Sequence, residues 1–192
     1  MSELVALDPH LFGPGSPCFG CSPDHPIGFR LRFFKDGDDV VTRFTPAAQY
    51  QGPPGVMHGG LVTTLADEIA AWTVIGLRGR FGFTGTIDAR LKRPVRIAEG
   101  VVGRGRITVD TRRVVTIHVD LMQAETLCFA GEFAFALLDR AAAERLLGRA
   151  LSDDWEPFAR ERCTSGNTVN AGAAARRSAP TTPPAPEERS AR

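Results

Sequence analysis

The chain has 192 residues, 43% of them apolar, and a formal net charge of +1. That length fits one domain with extensions, and the apolar share is enough for a core. The near-zero charge gives no global electrostatic case for a nucleic-acid partner.

No run approaches the ~18 uncharged apolar residues of a membrane span. The opening MSELVALDPHLFGPG lacks the basic region and apolar core of a secretion signal. The expected setting is therefore cytoplasmic, with no membrane partner.

Residues 1–17 carry Pro9, Pro14 and Pro17 and read as an irregular lead-in. The segment CFGCSPDHPIG follows, rich in turn formers. Its Cys18 and Cys21 form a C-x-x-C pair with His25 close behind; the other thiols are Cys128 and Cys163. Without a secretion signal a disulfide framework is not expected. A zinc site would need two further ligands and no second C-x-x-C exists, so the pair reads as a structural knuckle of packed thiols and no metal is expected.

Gly28 to Lys35 alternates Phe29, Leu31 and Phe33 with Arg30 and Arg32, the pattern of a half-buried strand. Asp36-Gly37-Asp38 is a hairpin signal, with Asp39 to Thr45 as the returning strand. Tyr50 to Gly79 then holds the longest helical pattern, opening near Gly59 after Pro53-Pro54-Gly55. Gly76 and Gly79 are expected to end it.

On a helical wheel, Leu61, Leu65, Ile69, Trp72 and Ile75 share a bulky apolar face. Gly60, Thr63, Thr64, Ala70, Ala71 and Val74 make the opposite side small rather than polar. A helix of this kind is normally buried. Its middle nevertheless carries two carboxylates, Asp67 on the small side and Glu68 on the bulky side. Both are either solvated at an edge or buried with raised pKa values and available for acid–base or nucleophilic work. Asp67 is the better candidate, because its side leaves space.

Beyond the helix, Phe81 to Arg93 reads as a strand whose glycines suggest a bulge. Val95 to Asp110 reads as two short strands around Glu99-Gly100. Thr111 to Gln123 alternates Val115, Ile117, Val119 and Leu121 against a more polar face. Thr126 to Leu138 follows a turn at Ala124-Glu125, and Asp139 to Ala150 reads as a short helix. The fold class is therefore α+β, one helix laid on an antiparallel sheet. The domain spans 18–150. Residues 151–192 read as a mostly disordered tail, because few large apolar residues remain to offset ordering entropy.

Several chemistries are excluded. No serine lies between Ser22 and Ser152, so the domain has no Ser nucleophile. There is no dinucleotide fingerprint, P-loop or paired-histidine zinc motif. Cys128, without a basic neighbour in sequence, reads as an inert buried thiol. What survives is a Gly-Gly helix start beside a helix carboxylate. The Gly59 and Gly60 N–H groups sit at the positive end of the dipole and can hold a developing oxyanion. Asp67 lies two turns on, about 12 Å away. A dimer that sets Gly59 of one chain against Asp67 of the other would join them. His58 is either a substrate contact or a cap for the turn.

His58-Gly59-Gly60 followed by Asp67, within YQGPPGVMHGG and its helix, resembles the hotdog-fold acyl-CoA thioesterases of the phenylacetate-pathway (PaaI) type. So do CFGCSPDHPIGFRLRF and the strand ending in Arg93-Pro94. The resemblance covers roughly Cys18 to Leu138. It implies a helix wrapped by a curved antiparallel sheet, an active site between two subunits, and a homodimer or a dimer of dimers. It implies an acyl-CoA or aryl-CoA substrate and no cofactor. Asp67 would be the catalytic carboxylate, as base or nucleophile, and Gly59 the donor to the thioester carbonyl. Gln51 lies near the family's amide position, and Thr84 near its attacking water, with Thr86 as the alternative if a bulge shifts register. His58, Gly60 and Glu68 would complete the site, and Arg93 would meet CoA phosphates. Two rival readings on the same fold are a hydratase or dehydratase using His58 with Asp67, and a protein that only binds an acyl thioester.

Overall fold

The computed structural model describes residues 4–13 and 15–151. Seven strands form one sheet: β1 (Val5–Ala6), β2 (Phe33–Asp36), β3 (Asp39–Phe44), β4 (Gly82–Leu91), β5 (Val101–Asp110), β6 (Val114–Gln123) and β7 (Thr126–Leu137). They pair antiparallel throughout, in the order β1-β2-β3-β5-β6-β7-β4. The long helix α1 (Gly59–Arg78) separates β3 from β4, and α2 (Arg140–Leu147) follows β7. The α+β class holds, as a single central helix on an antiparallel sheet.

Helix α1 touches every strand from β2 to β7, so the sheet must curl around it. Leu65, Ala66, Ile69, Ala70 and Val74 are all fully buried. The small side is packed at Ala70 and Val74, while Gly60 stays exposed and Thr63, Thr64 and Ala71 are half-buried. By length and composition alone α1 could cross a membrane; the strands that cover it make it a core helix instead.

Two close approaches seat α1 on β5. A Cβ on Gly103 would overlap Ile69 Cδ1, and one on Gly105 would overlap Thr73 Oγ1. Trp72 stacks on Phe33 at 4.9 Å between ring centres, locking the far side of α1 to β2. Val115, Ile117, Val119 and Leu121 are buried as their alternation requires.

The hairpin at Gly37 and the αL cap at Gly79 also form as expected. Gly76 does not end the helix; it lies inside α1, where Leu7 and Val40 press against its Cα and leave no room for a side chain.

Three other expectations are corrected. The Gly28–Lys35 strand begins only at Phe33, because Arg30 takes φ 55° and breaks the extension. Phe29 and Leu31 are still buried, but their N–H groups bond Phe19 and Gly20 carbonyls in the C-x-x-C turn rather than a strand. Val95–Asp110 gives one strand, not two: residues 95–100 form a loop clamped by Gln123, which accepts Arg96 N–H and donates to the Arg96 and Glu99 carbonyls. The lead-in is not wholly irregular, since Val5–Ala6 adds an edge strand and Leu7 is buried in the core. The tail from residue 152 onward lies outside the described residues.

Candidate functional site

Asp67 and Glu68 point to the same cavity, about 760 Å³ in volume. It opens between the middle of α1, the start of β4, the lead-in and α2. Phe81, Phe83, Trp72, Ile75 and Phe135 supply most of its apolar wall, and Arg149 adds a cation. Pockets of this size and character suit a small organic ligand.

Asp67 is partly buried and accepts a hydrogen bond from Thr84 Oγ1 at 2.9 Å. Burial raises its pKa, while the Thr84 bond acts in the opposite direction. The β-bulge between Thr84 and Thr86, centred on Gly85, sets this register. Thr84 turns to the cavity; Thr86, beyond the bulge, is exposed and is not part of the lining.

Glu68 lies on the bulky side of α1, and it too has its pKa raised, chiefly by burial and then by the charge of Cys18. Its Oε1 accepts from Cys18 Sγ at 3.4 Å. Cys21 N–H donates to the Cys18 sulfur at 3.3 Å, closing the knuckle expected of the C-x-x-C pair. The Cys18 thiol is pulled down to about 5, first by the Cys21 thiol that donates to it. The Cys21 thiol is pushed up by the same bond and by burial. That Glu68 meets this knuckle is the feature sequence reasoning missed: the C-x-x-C was visible, but the helix carboxylate 47 residues later gave no signal of pairing with it.

The other expected residues sit around the N-terminus of α1, away from the cavity lining. His58 caps the helix, its Nδ1 accepting the Gly60 N–H at 3.0 Å. The cap alternative for His58 is thus realised in this chain, and the Gly60 N–H is committed to it. The Gly59 N–H makes no hydrogen bond among the described residues, and the Leu91 side chain lies nearby. Gln51 is exposed, and its Oε1 accepts Gly55 N–H within its own turn. Arg93 is exposed past the end of β4, with its N–H on the Cys128 carbonyl. Cys128 is buried and its thiol pKa is raised by that burial, as its sequence context suggested. The described residues thus carry two separate features along α1. One is the acid-lined cavity with Asp67 and Thr84; the other is the open helix start with Gly59.

Residues 54–130 match the family model of the thioesterase superfamily. No curated protein matches the chain. Among solved structures, one described as a thioesterase superfamily protein is 26% identical with a TM-score of 0.56, over 60% of this chain and 57% of that one. The chain thus spans little more than half the length of that protein. A thioesterase from Haemophilus influenzae is 22% identical with a TM-score of 0.54, over 62% of this chain and 85% of its own. A hypothetical thioesterase from Streptococcus pneumoniae, solved with coenzyme A, is 21% identical with a TM-score of 0.52, over 56% and 87%. These neighbours share the hotdog arrangement of one helix within a curled antiparallel sheet.

Proposed function

We propose that this chain, whose residues 54–130 match the thioesterase superfamily model, hydrolyses an acyl-CoA or aryl-CoA thioester to the free acid and CoA. The observation that carries the reading is Asp67, a helix carboxylate bonded to Thr84 on the wall of an apolar cavity. A carboxylate whose pKa burial has raised is a stronger base near neutral pH than an exposed one. The coenzyme A seen with the Streptococcus pneumoniae neighbour agrees with a CoA ester as substrate class.

In this scheme water attacks the thioester carbonyl carbon while Asp67 accepts its proton. Thr84 orients the carboxylate. The Gly59 N–H, at the positive end of the α1 dipole, holds the oxyanion. The tetrahedral intermediate then expels CoA as thiolate, which takes up a proton. Direct attack by the Asp67 carboxylate, through an anhydride that water opens, uses the same groups.

Gly59 and Asp67 are about 12 Å apart along α1, so we assign them to one site across a homodimer, in the manner of PaaI-type enzymes. Support comes from β4, an edge strand that exposes Phe83, Ile87 and Leu91 (59%, 46% and 54% exposed). Long apolar edges of this kind are usually covered. A cytoplasmic setting accords with a CoA ester as substrate.

The hydratase alternative needs His58 to work beside Asp67. His58 spends its Nδ1 on the Gly60 N–H at the start of α1, so hydrolysis is the reading the geometry supports better. The test is free-thiol release from a panel of acyl- and aryl-CoA esters, wild type beside Asp67→Asn. Turnover is expected from wild type and a fall of about 10²–10⁴-fold in kcat in the variant, with an unchanged fold. Equal turnover by the two proteins would remove Asp67 from catalysis. A folded wild type that binds esters without releasing thiol would turn the assignment to the binding or the hydratase reading.

A further inference from the structure

Cys18, Cys21 and Glu68 each turn one ligand atom toward a common point, all three within 4.8 Å of one another. They come from parts of the chain with nothing else in common, the turn after the lead-in and the middle of α1. Glu68 reaches the knuckle only because residue 20 is glycine: a Cβ there would overlap the Glu68 Cγ and Cδ. Three acidic groups gathered at a partly buried point need either shared protons or a positive charge.

We propose that Cys18, Cys21 and Glu68 form a binding site for one zinc-class divalent ion. The donor set is two thiolates and a carboxylate, which suits zinc. A tetrahedral site with Zn–S near 2.3 Å and Zn–O near 2.0 Å has an S···O edge of about 3.5 Å. The Cys18 Sγ to Glu68 Oε1 separation is 3.4 Å. The backbone N–H of Cys21 already donates to the Cys18 sulfur, the outer-shell contact that steadies a thiolate ligand.

All three ligands line the cavity that holds Asp67, so the fourth position faces that space and takes a water or a ligand atom. Binding displaces the thiol protons and clasps the lead-in to the core helix. His25 takes no part: its ring packs on Phe19, and its Nδ1 accepts the Ile27 N–H.

The experiment uses the full chain, reduced and stripped with chelator, then titrated with Co²⁺ and afterwards with Zn²⁺. No substrate is present, so its outcome is independent of thioester hydrolysis. One Co²⁺ per chain is expected, with a sulfur-to-cobalt charge-transfer band that Zn²⁺ abolishes by displacement. Cys18→Ser and Cys21→Ser should lose the band. Glu68→Gln should keep it but bind more than about tenfold more weakly, since loss of even an outer partner costs that much. Cys163→Ser, remote in sequence, should bind as wild type.

The proposal is overturned if folded wild type shows no band, or if the band survives Cys18→Ser. Should either serine variant fail to fold by circular dichroism, Glu68→Gln decides. An unchanged affinity in that variant overturns the site.

Discussion

At the scale of single residues, the two acids of α1 differ by their partners rather than by their chemistry. Asp67 and Glu68 are adjacent in sequence and both lose water, yet one meets a threonine hydroxyl and the other a pair of thiols. The hydroxyl leaves Asp67 able to accept a proton while fixing its orientation. Thr84→Ala removes that bond without removing the carboxylate proposed as the base. A loss of about tenfold in kcat/KM is expected, smaller than that of Asp67→Asn, because a hydrogen bond to a charged group contributes roughly 1.5–3 kcal/mol. Activity equal to wild type would take Thr84 out of the site. The bulge at Gly85 explains why Thr84 holds this place and Thr86 does not: one extra residue in β4 resets which side chains face the helix.

At the scale of elements, the seating of α1 on β5 decides where both acids lie. Gly103 and Gly105 let the helix backbone come close, with Ile69 and Thr73 filling the space a strand side chain would take. Gly105→Ala drives a methyl into Thr73, whose hydroxyl is bonded to the Ile69 carbonyl at 2.7 Å. Overpacking of this kind costs about 1–3 kcal/mol. The melting temperature is expected to fall by about 2–4 °C per kcal/mol in a chain of this size. Gly100→Ala is the control, since its Cβ would meet nothing nearer than Thr45 Oγ1 at 4.0 Å. Equal melting of the two variants in a thermal scan would show that the helix seat tolerates the methyl.

At the scale of the whole molecule, the chain keeps Asp67 and the Gly59 N–H, the proposed base and oxyanion donor, apart and leaves apolar side chains exposed on the edge strand β4. Pairing of two copies along β4 would cover that edge and join the two groups. Light scattering after gel filtration is expected to give a dimer or a dimer of dimers for wild type. Ile87→Lys, which sets a charge beside the exposed Leu91 on the open edge, is expected to give a monomer with little thioesterase activity. A monomeric wild type with full activity would require both groups to act from one chain, and would remove the dimer from the mechanism.

The sequence by itself determined the elements whose signals are local. Alternation in β6 fixed its buried face, Gly37 and Gly79 fixed a hairpin and a helix end, and His58-Gly59-Gly60 with Asp67 marked the helix that matters. Such features depend on backbone freedom and on periodicity, which neighbouring residues alone decide. Long-range pairing lay beyond it. Phe29 and Leu31 had the burial of a strand, yet their backbone partners are in the C-x-x-C turn. Gly76 had the look of a helix end, yet it serves Leu7 and Val40. Tertiary structure alone brought Thr84 to Asp67 and Glu68 to the two thiols. Those contacts join segments 17 and 50 residues apart, and periodicity places a side chain on a face without saying what the fold will set against it.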